Sequence, residues 1–291
     1  MKTIIEFKKQ REFGDILTDT FAFIRNEFKP FFSAIIKISG PYVALFLFAM
    51  VFYIYSIGDM FNFDLIQSNQ FYGSPLKIIS AYLLYFGTAI LAYTFTTSTV
   101  LHYIKSYIDN NGNINVEEIK QNVYKNFWSF LGLSILKVLT LIVAVFICCL
   151  PVFYFMVPMM VALPILVFER NGASEAYSKS YQLIKDEFWI TLATIVVLLI
   201  IYWVASTVFS IPTAIYTYAK MGIFSGEIDP GNLDTFVDPV YILLNVLGTF
   251  FQYILNIITI VGSAFIYFNL NERKFFSGTL ERIDSLGKIE N

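Results

Sequence analysis

One run of 40 residues, 129–168, carries a single charged side chain, Lys137. As one helix it would stretch about 60 Å, roughly twice the hydrocarbon thickness of a bilayer. The run is therefore expected to fold back on itself. Pro151 supplies the break, because proline cannot donate a hydrogen bond to the preceding turn and fits the first turn of a new helix. The expectation is two spans, 129–149 and 151–168. Four further runs, 31–57, 76–103, 188–215 and 240–270, hold the ~20 mostly apolar residues that a crossing needs. With 57% hydrophobic and 14% charged residues, the chain lies outside the range of soluble globular domains, in which about a quarter of residues are charged.

Charge placement tests the count of six, because short cytoplasmic loops collect Lys and Arg. Six crossings put residues 1–30, 104–128, 169–187 and 271–291 on one side, where they hold 6, 3, 3 and 4 basic residues. The other side holds only Lys77 and Lys220. Five crossings would spread the basic residues 10 against 8, so six crossings with both termini cytoplasmic is the expected topology. This divides the chain into a cytoplasmic segment 1–30, a membrane domain 31–270 and a cytoplasmic tail 271–291. The opening MKTIIEFKKQREFGD lacks the apolar core of a cleavable signal, so the first span is expected to act as its own insertion signal.

Three of the inside segments read as short amphipathic helices leading into a span. Phe13, Leu17, Phe21, Ile24 and Phe28 follow helical spacing in the first, and Ala173, Tyr177, Tyr181, Ile184 and Phe188 in the third. The middle one places Ile119, Val123 and Phe127 together. Aligning Phe28, Phe127 and Phe188 gives three copies of one unit: interfacial helix, span, outer turn, returning span. The predicted fold is all-α: a polytopic membrane protein whose six transmembrane helices form three hairpins, each preceded by an interfacial helix lying at the headgroups. Phe276, Leu280 and Ile283 make a weaker fourth example after the last span.

The stretch VFERNGASEAYSKSYQLIKDEFW, the apolar helix after it and YFNLNERKFFSGTLERIDSLG carry a resemblance. They look like the membrane domain attached to some bacterial glycerophosphoryl diester phosphodiesterases and its stand-alone relatives. Glu169, Gly172, Ala176, Ser180, Leu183, Lys185, Phe188 and Trp189 occupy the positions of that pattern. The resemblance implies a bundle in the bacterial inner (cytoplasmic) membrane. The phosphodiesterase barrel, with its metal-binding carboxylates and histidines, is absent from this sequence, so the enzyme's activity does not carry over.

Candidate sites come from polar groups inside spans. Lys37 and Lys137 each lie 9 or 10 residues after the aligned Phe of their repeat. They either snorkel to the cytoplasmic headgroups or line a pocket for an acidic headgroup. Asn245, Thr249, Gln252, Asn256 and Ser263 form a stripe on the last span. Amides facing lipid would leave donors and acceptors unmet at several kcal/mol each, so the stripe should face other helices, as interhelical glue or as a cavity wall. Thr94, Ser98 and His102 share one face of the second span and could meet it. His102 is the only histidine, and no acidic residue lies in a span to build a metal set or triad with it. Pro158, Pro164, Pro212 and the pair Gly40-Pro41 are expected to kink or interrupt their helices. Asp229, Asn232 and Asp234 read as a turn rather than a calcium loop.

These features point to a non-enzymatic membrane protein, an accessory subunit or lipid-contacting scaffold of a larger assembly. The alternative is a small transporter or lipid-handling protein whose polar pocket uses Lys37, Lys137, His102, Asn245, Gln252 and Asn256. A membrane enzyme is the reading with least support. Membrane lipids and other membrane proteins are the expected partners; nucleic acid, cofactor and metal are not expected.

Overall fold

A backbone in hydrocarbon has no water to bond with and must pair its own amides. The computed structural model describes residues 4–58, 75–147, 149–222 and 238–286, and it meets that demand with ten α-helices and no strand among the described residues. Six are long and apolar enough to cross a membrane: α2 (Phe28–Gly58), α3 (Pro75–Asp109), α5 (Phe127–Ile147), α6 (Cys149–Phe168), α8 (Phe188–Lys220) and α9 (Pro239–Phe275). Four are short: α1 (Phe13–Asn26), α4 (Val116–Lys125), α7 (Ala173–Ile184) and α10 (Ser277–Leu286). The 40-residue run is two helices, α5 and α6, with Pro151 in the first turn of the second. The Asp229–Asp234 turn lies outside the described residues.

Polar side chains start and stop the short helices. Glu12 and Asp15 form a capping box on α1, and the Asn115 side chain accepts from the Glu118 amide at 3.2 Å to cap α4. Glu117 and Glu118 in the first turn of α4 and Lys125 in its last match the helix dipole. At the joints into the spans, Glu27 and Asn126 adopt almost the same backbone, φ −99°, ψ 8° and φ −95°, ψ 5°. Each donates its amide back to the short helix, Glu27 to Phe23 at 2.9 Å and Asn126 to Asn122 at 3.0 Å. Each also accepts the first amide bond of the span, from Phe31 at 2.9 Å and from Phe130 at 3.1 Å. The third joint runs over residues 185–187 and ends on Glu187, which accepts from the Thr191 amide at 3.0 Å.

Toward the protein, α1 buries Ile16, Thr20 and Phe23, and α7 buries Ala176, Ser180, Leu183 and Ile184. Phe13, Phe21 and Phe28 are left exposed. In α4, Ile119 and Val123 are buried in the protein. Pro41, Pro158, Pro164 and Pro212 all lie inside continuous helices, so none of them interrupts its helix; each removes only one backbone bond from a ladder whose neighbours hold.

The chain folds as two compact units, Met1–Ser39 with Thr94–Ile201 and Ile257–Asn291, and Gly40–Tyr93 with Tyr202–Asn256. In the first, a strap at Phe7 and Arg11 is buried: Phe7 stacks on Phe265 with ring centres 4.3 Å apart and meets Phe23 edge-on at 5.2 Å. Helices α5, α6 and α7 pack on one another here. In the second, Val43, Phe46 and Ala92 form a small core with Tyr85, Ala89 and Tyr253 around it.

Candidate functional site: a charged cavity and a polar groove

The last turns of α3 place His102, Lys105, Ser106 and Asp109 at three- and four-residue intervals, on one face. Opposite them, α4 offers Glu118, Asn122 and Lys125 with the same periodicity, and the joint adds Asn126. The turn after α6 adds Arg170 and Asn171. Together these enclose a cavity of about 370 Å³ within the first unit.

His102 and Ser106 are buried, whereas Lys125, Arg170, Asp109 and Glu118 stand exposed. Nδ1 of His102 lies 2.8 Å from the Ser98 carbonyl, which can only accept, so that nitrogen carries the proton. Nε2 is then the acceptor in the neutral ring, and it receives the Asn126 side-chain amide at 3.3 Å. The same amide donates to the Asn122 carbonyl at 3.0 Å. The imidazole is therefore tied at both nitrogens and serves as a wall. Lys105 Nζ donates to the Val167 carbonyl at 2.8 Å, closing the C-terminal end of α6. Arg170 has φ +56°, the left-handed region, where a side chain other than that of Gly, Asn or Asp is costly. The cavity thus brings three cations and several amides against two carboxylates, which is chemistry for recognition. Among the described residues no group of three His, Cys, Asp or Glu could hold a metal ion.

A second concavity, about 340 Å³, lies in the second unit between α8 and α9. Asn245, Thr249 and Gln252 face Ser210, Thr213 and Thr217 across it. Asn245 donates to the Tyr241 carbonyl at 2.9 Å, and Gln252 reaches the Ser206 carbonyl at 3.3 Å. Gly248 lets the helices meet: a Cβ there would lie 2.9 Å from the Phe209 carbonyl oxygen. At the start of α9, Asp238 accepts from Tyr216 and from Lys220 while its other oxygen caps the helix at the Tyr241 amide, 2.7 Å away. These partners hold the Asp238 carboxyl well below the usual range.

The predicted site residues are therefore not one constellation. His102 lines the cavity, and Asn245 and Gln252 line the groove. Lys37 is exposed on α2, Lys137 half-buried on α5 and Asn256 half-buried on α9; none of the three lines either site. Three hydroxyls of the first unit, on Thr94, Thr97 and Ser134, are buried without a hydrogen-bond partner. Sequence reasoning did not single out Lys105, Lys125 and Arg170. In the sequence they count only toward charge placement, because the three come together through a turn 65 residues from Lys105.

The residues that carry the family pattern have structural work here. Ala176 and Ser180 are fully buried on α7. Glu169 accepts from the Tyr267 hydroxyl at 3.2 Å, from Lys179 at 3.2 Å and from the Asn171 amide at 3.1 Å, which joins α6, α7 and α9. The bond to Glu169 raises the Lys179 ammonium above its ordinary range. Trp189 beside Phe188 is exposed, as is Trp128 beside Phe127 in the preceding repeat.

Residues 134–274 match the family described as the membrane domain of glycerophosphoryl diester phosphodiesterase. That stretch is similar to this family of membrane domains. The protein is an integral membrane protein, and the matched model is the membrane domain rather than the catalytic one. The match takes in Arg170 and Asn171 of the cavity and the groove between α8 and α9, while Lys105 and Lys125 precede it. No curated protein and no solved structure matches the chain.

Proposed function

We propose that this is a non-enzymatic protein of the bacterial inner membrane, with both termini cytoplasmic, acting as an accessory subunit or lipid-contacting scaffold of a larger membrane assembly. One observation carries the reading. Two short helices of the first unit are fixed to the protein on one side and keep apolar residues exposed on the other: Phe13 and Phe21 on α1, with Phe28 opening α2, and Leu280 and Ile283 on α10, with Phe276 just before it. Exposed apolar residues of this kind fit a headgroup boundary or the surface of a neighbouring membrane protein. Basic residues concentrated in segments 1–30, 104–128, 169–187 and 271–291 support the orientation. The test is purification at native level in mild detergent, with Phe13→Ser and Phe21→Ser combined as the comparison. A stoichiometric membrane partner that the double variant loses is the expected result; a monomer with no partner removes the subunit reading.

The groove favours a second reading, a transporter or lipid-handling protein, because Asn245 and Gln252 border open space. A cysteine at Thr249 reacting with a membrane-impermeant maleimide would support it, and protection of that cysteine in intact membranes would remove its motive.

A further inference from the structure

The cavity bounded by α3, α4 and the turn after α6 contains more positive charge than its own contacts use. Lys105 is half-buried, and its charged neighbours are Arg170, a like charge, and the carboxylates Asp109 and Glu118. Lys125 stands on the α4 wall. With His102 neutral, three cations face two carboxylates, so one positive charge is unmatched within the lining.

Arg170 is the second observation. Its backbone is left-handed at φ +56°, yet Asn171 and Gly172, two residue types that adopt this conformation more readily, follow it directly. The arginine therefore occupies a position that its backbone disfavours, and there its side chain lines the cavity. Strain retained at a concave site is a signature of function when an observed outlier leads to it.

The geometry of the donors selects the ligand class. Arg170 comes from the turn, Lys105 from α3 and Lys125 from α4, so cationic donors come from three separate walls. A planar carboxylate presents two oxygens in one plane and would satisfy one wall. A tetrahedral phosphate presents oxygens in several directions, and the guanidinium fork matches two of them at once. A cavity of about 370 Å³ also exceeds what the phosphate alone fills, leaving space for its substituent. We propose that this cavity binds a phosphate-bearing anion, held by Arg170, Lys105 and Lys125 against the His102–Asn126 wall. The anion is either a free phosphorylated solute or the headgroup of an acidic lipid, and the chemistry of recognition is the same. This site stands independently of the scaffold and transport readings.

The test uses the full chain in nanodiscs, with unfolding temperature and calorimetric titration as readouts. Inorganic phosphate is added to discs of phosphatidylcholine, and separately the discs are made with phosphatidylglycerol at constant ionic strength. Stabilisation by phosphate identifies a free-anion site, stabilisation by phosphatidylglycerol alone identifies a headgroup site, and either supports the proposal. Arg170→Gln and Lys105→Gln should each weaken the response roughly tenfold, the loss of one charge-assisted contact. Arg170→Gly separates a structural role from a binding role: it should raise the unfolding temperature without ligand, by relieving the backbone, and abolish the response. No response of the native protein to either probe overturns the proposal. So does an Arg170→Gly or Arg170→Gln protein that responds like the native one.

Discussion

The two units of this protein are built with different chemistry. The first unit buries charge and ties it down. The Arg11 side chain is fully enclosed, donating to Asp19 at 2.9 Å, to the Phe7 carbonyl at 2.7 Å and to the Glu6 carbonyl, with its guanidinium 4.7 Å from the Phe265 ring centre. Glu272 is buried as well and caps α10 through the amides of Gly278 and Thr279, at 2.7 and 2.9 Å. The second unit has only a small buried core, and much of its contact is ring against ring, such as Tyr53 on Tyr85 at 4.6 Å and Phe209 on Phe251 at 4.8 Å. Where lipid tails are the solvent, apolar burial gives helices little reason to associate, and close packing must hold them. A substitution should therefore act through lost polar bonds in the first unit and through shape in the second.

The largest break in that comparison is expected from Arg11→Met. It removes the donor to the carbonyls of Glu6, Phe7 and Lys9 and leaves Asp19 with Lys9 alone, and should cost about 3 kcal/mol. Hydrogen exchange should rise across α1 and the start of the strap while the second unit stays protected. Uniform loss of protection in both units would show that the contrast is wrong.

Glycine sharpens the other side. Gly248→Ala drives a methyl group against the Phe209 carbonyl oxygen, a backbone atom that cannot turn aside, and should cost about 2 kcal/mol. Gly262→Ala in the first unit meets the end of the Leu198 side chain at 2.7 Å. That side chain can rotate, so the cost should stay under about 1 kcal/mol. Equilibrium unfolding in mixed micelles measures both, and equal costs would contradict the account of Gly248.

The smallest effect is a pH dependence of the second unit. Lys220 and Tyr216 depress the Asp238 carboxyl, so its stabilising contribution is complete above the ordinary Asp value near 3.8 and is lost as pH falls further, toward the folded value. Asp238→Asn should flatten that acid limb and leave stability at neutral pH only slightly lower, read as unfolding temperature against pH.

Much of the fold was legible because hydrocarbon thickness is a ruler. Residues 129–168 were too long for one crossing, Pro151 marked where to cut, and the basic residues told six crossings from five. The joints at Glu27 and Asn126 were legible for the same reason, since FIRNEF and VYKNFW pass abruptly from polar to apolar. The second face of α1, which buries Ile16 and Phe23, was not legible, because it packs through Phe7 and Phe265, contacts that no local spacing contains. The candidate site divides in the same way. The stripe Asn245, Thr249, Gln252 was visible at helical spacing within one span, whereas Lys105 and Arg170 meet only through tertiary structure.

The strap has a consequence in time. The Arg11 amide donates to the Asn269 side chain at 2.7 Å, and the Arg11 carbonyl accepts from Arg273 at 3.1 Å. Arg11 and Asn269 are 258 positions apart in the sequence, so α9 is made long after the strap. The guanidinium finds Asp19 and the nearby carbonyls locally and Phe7 can meet Phe23, but the stacking of Phe7 on Phe265 and the bonds to Asn269 and Arg273 wait for α9. Closing the strap on α9 is thus a contact of very long sequence separation, the kind that slows folding.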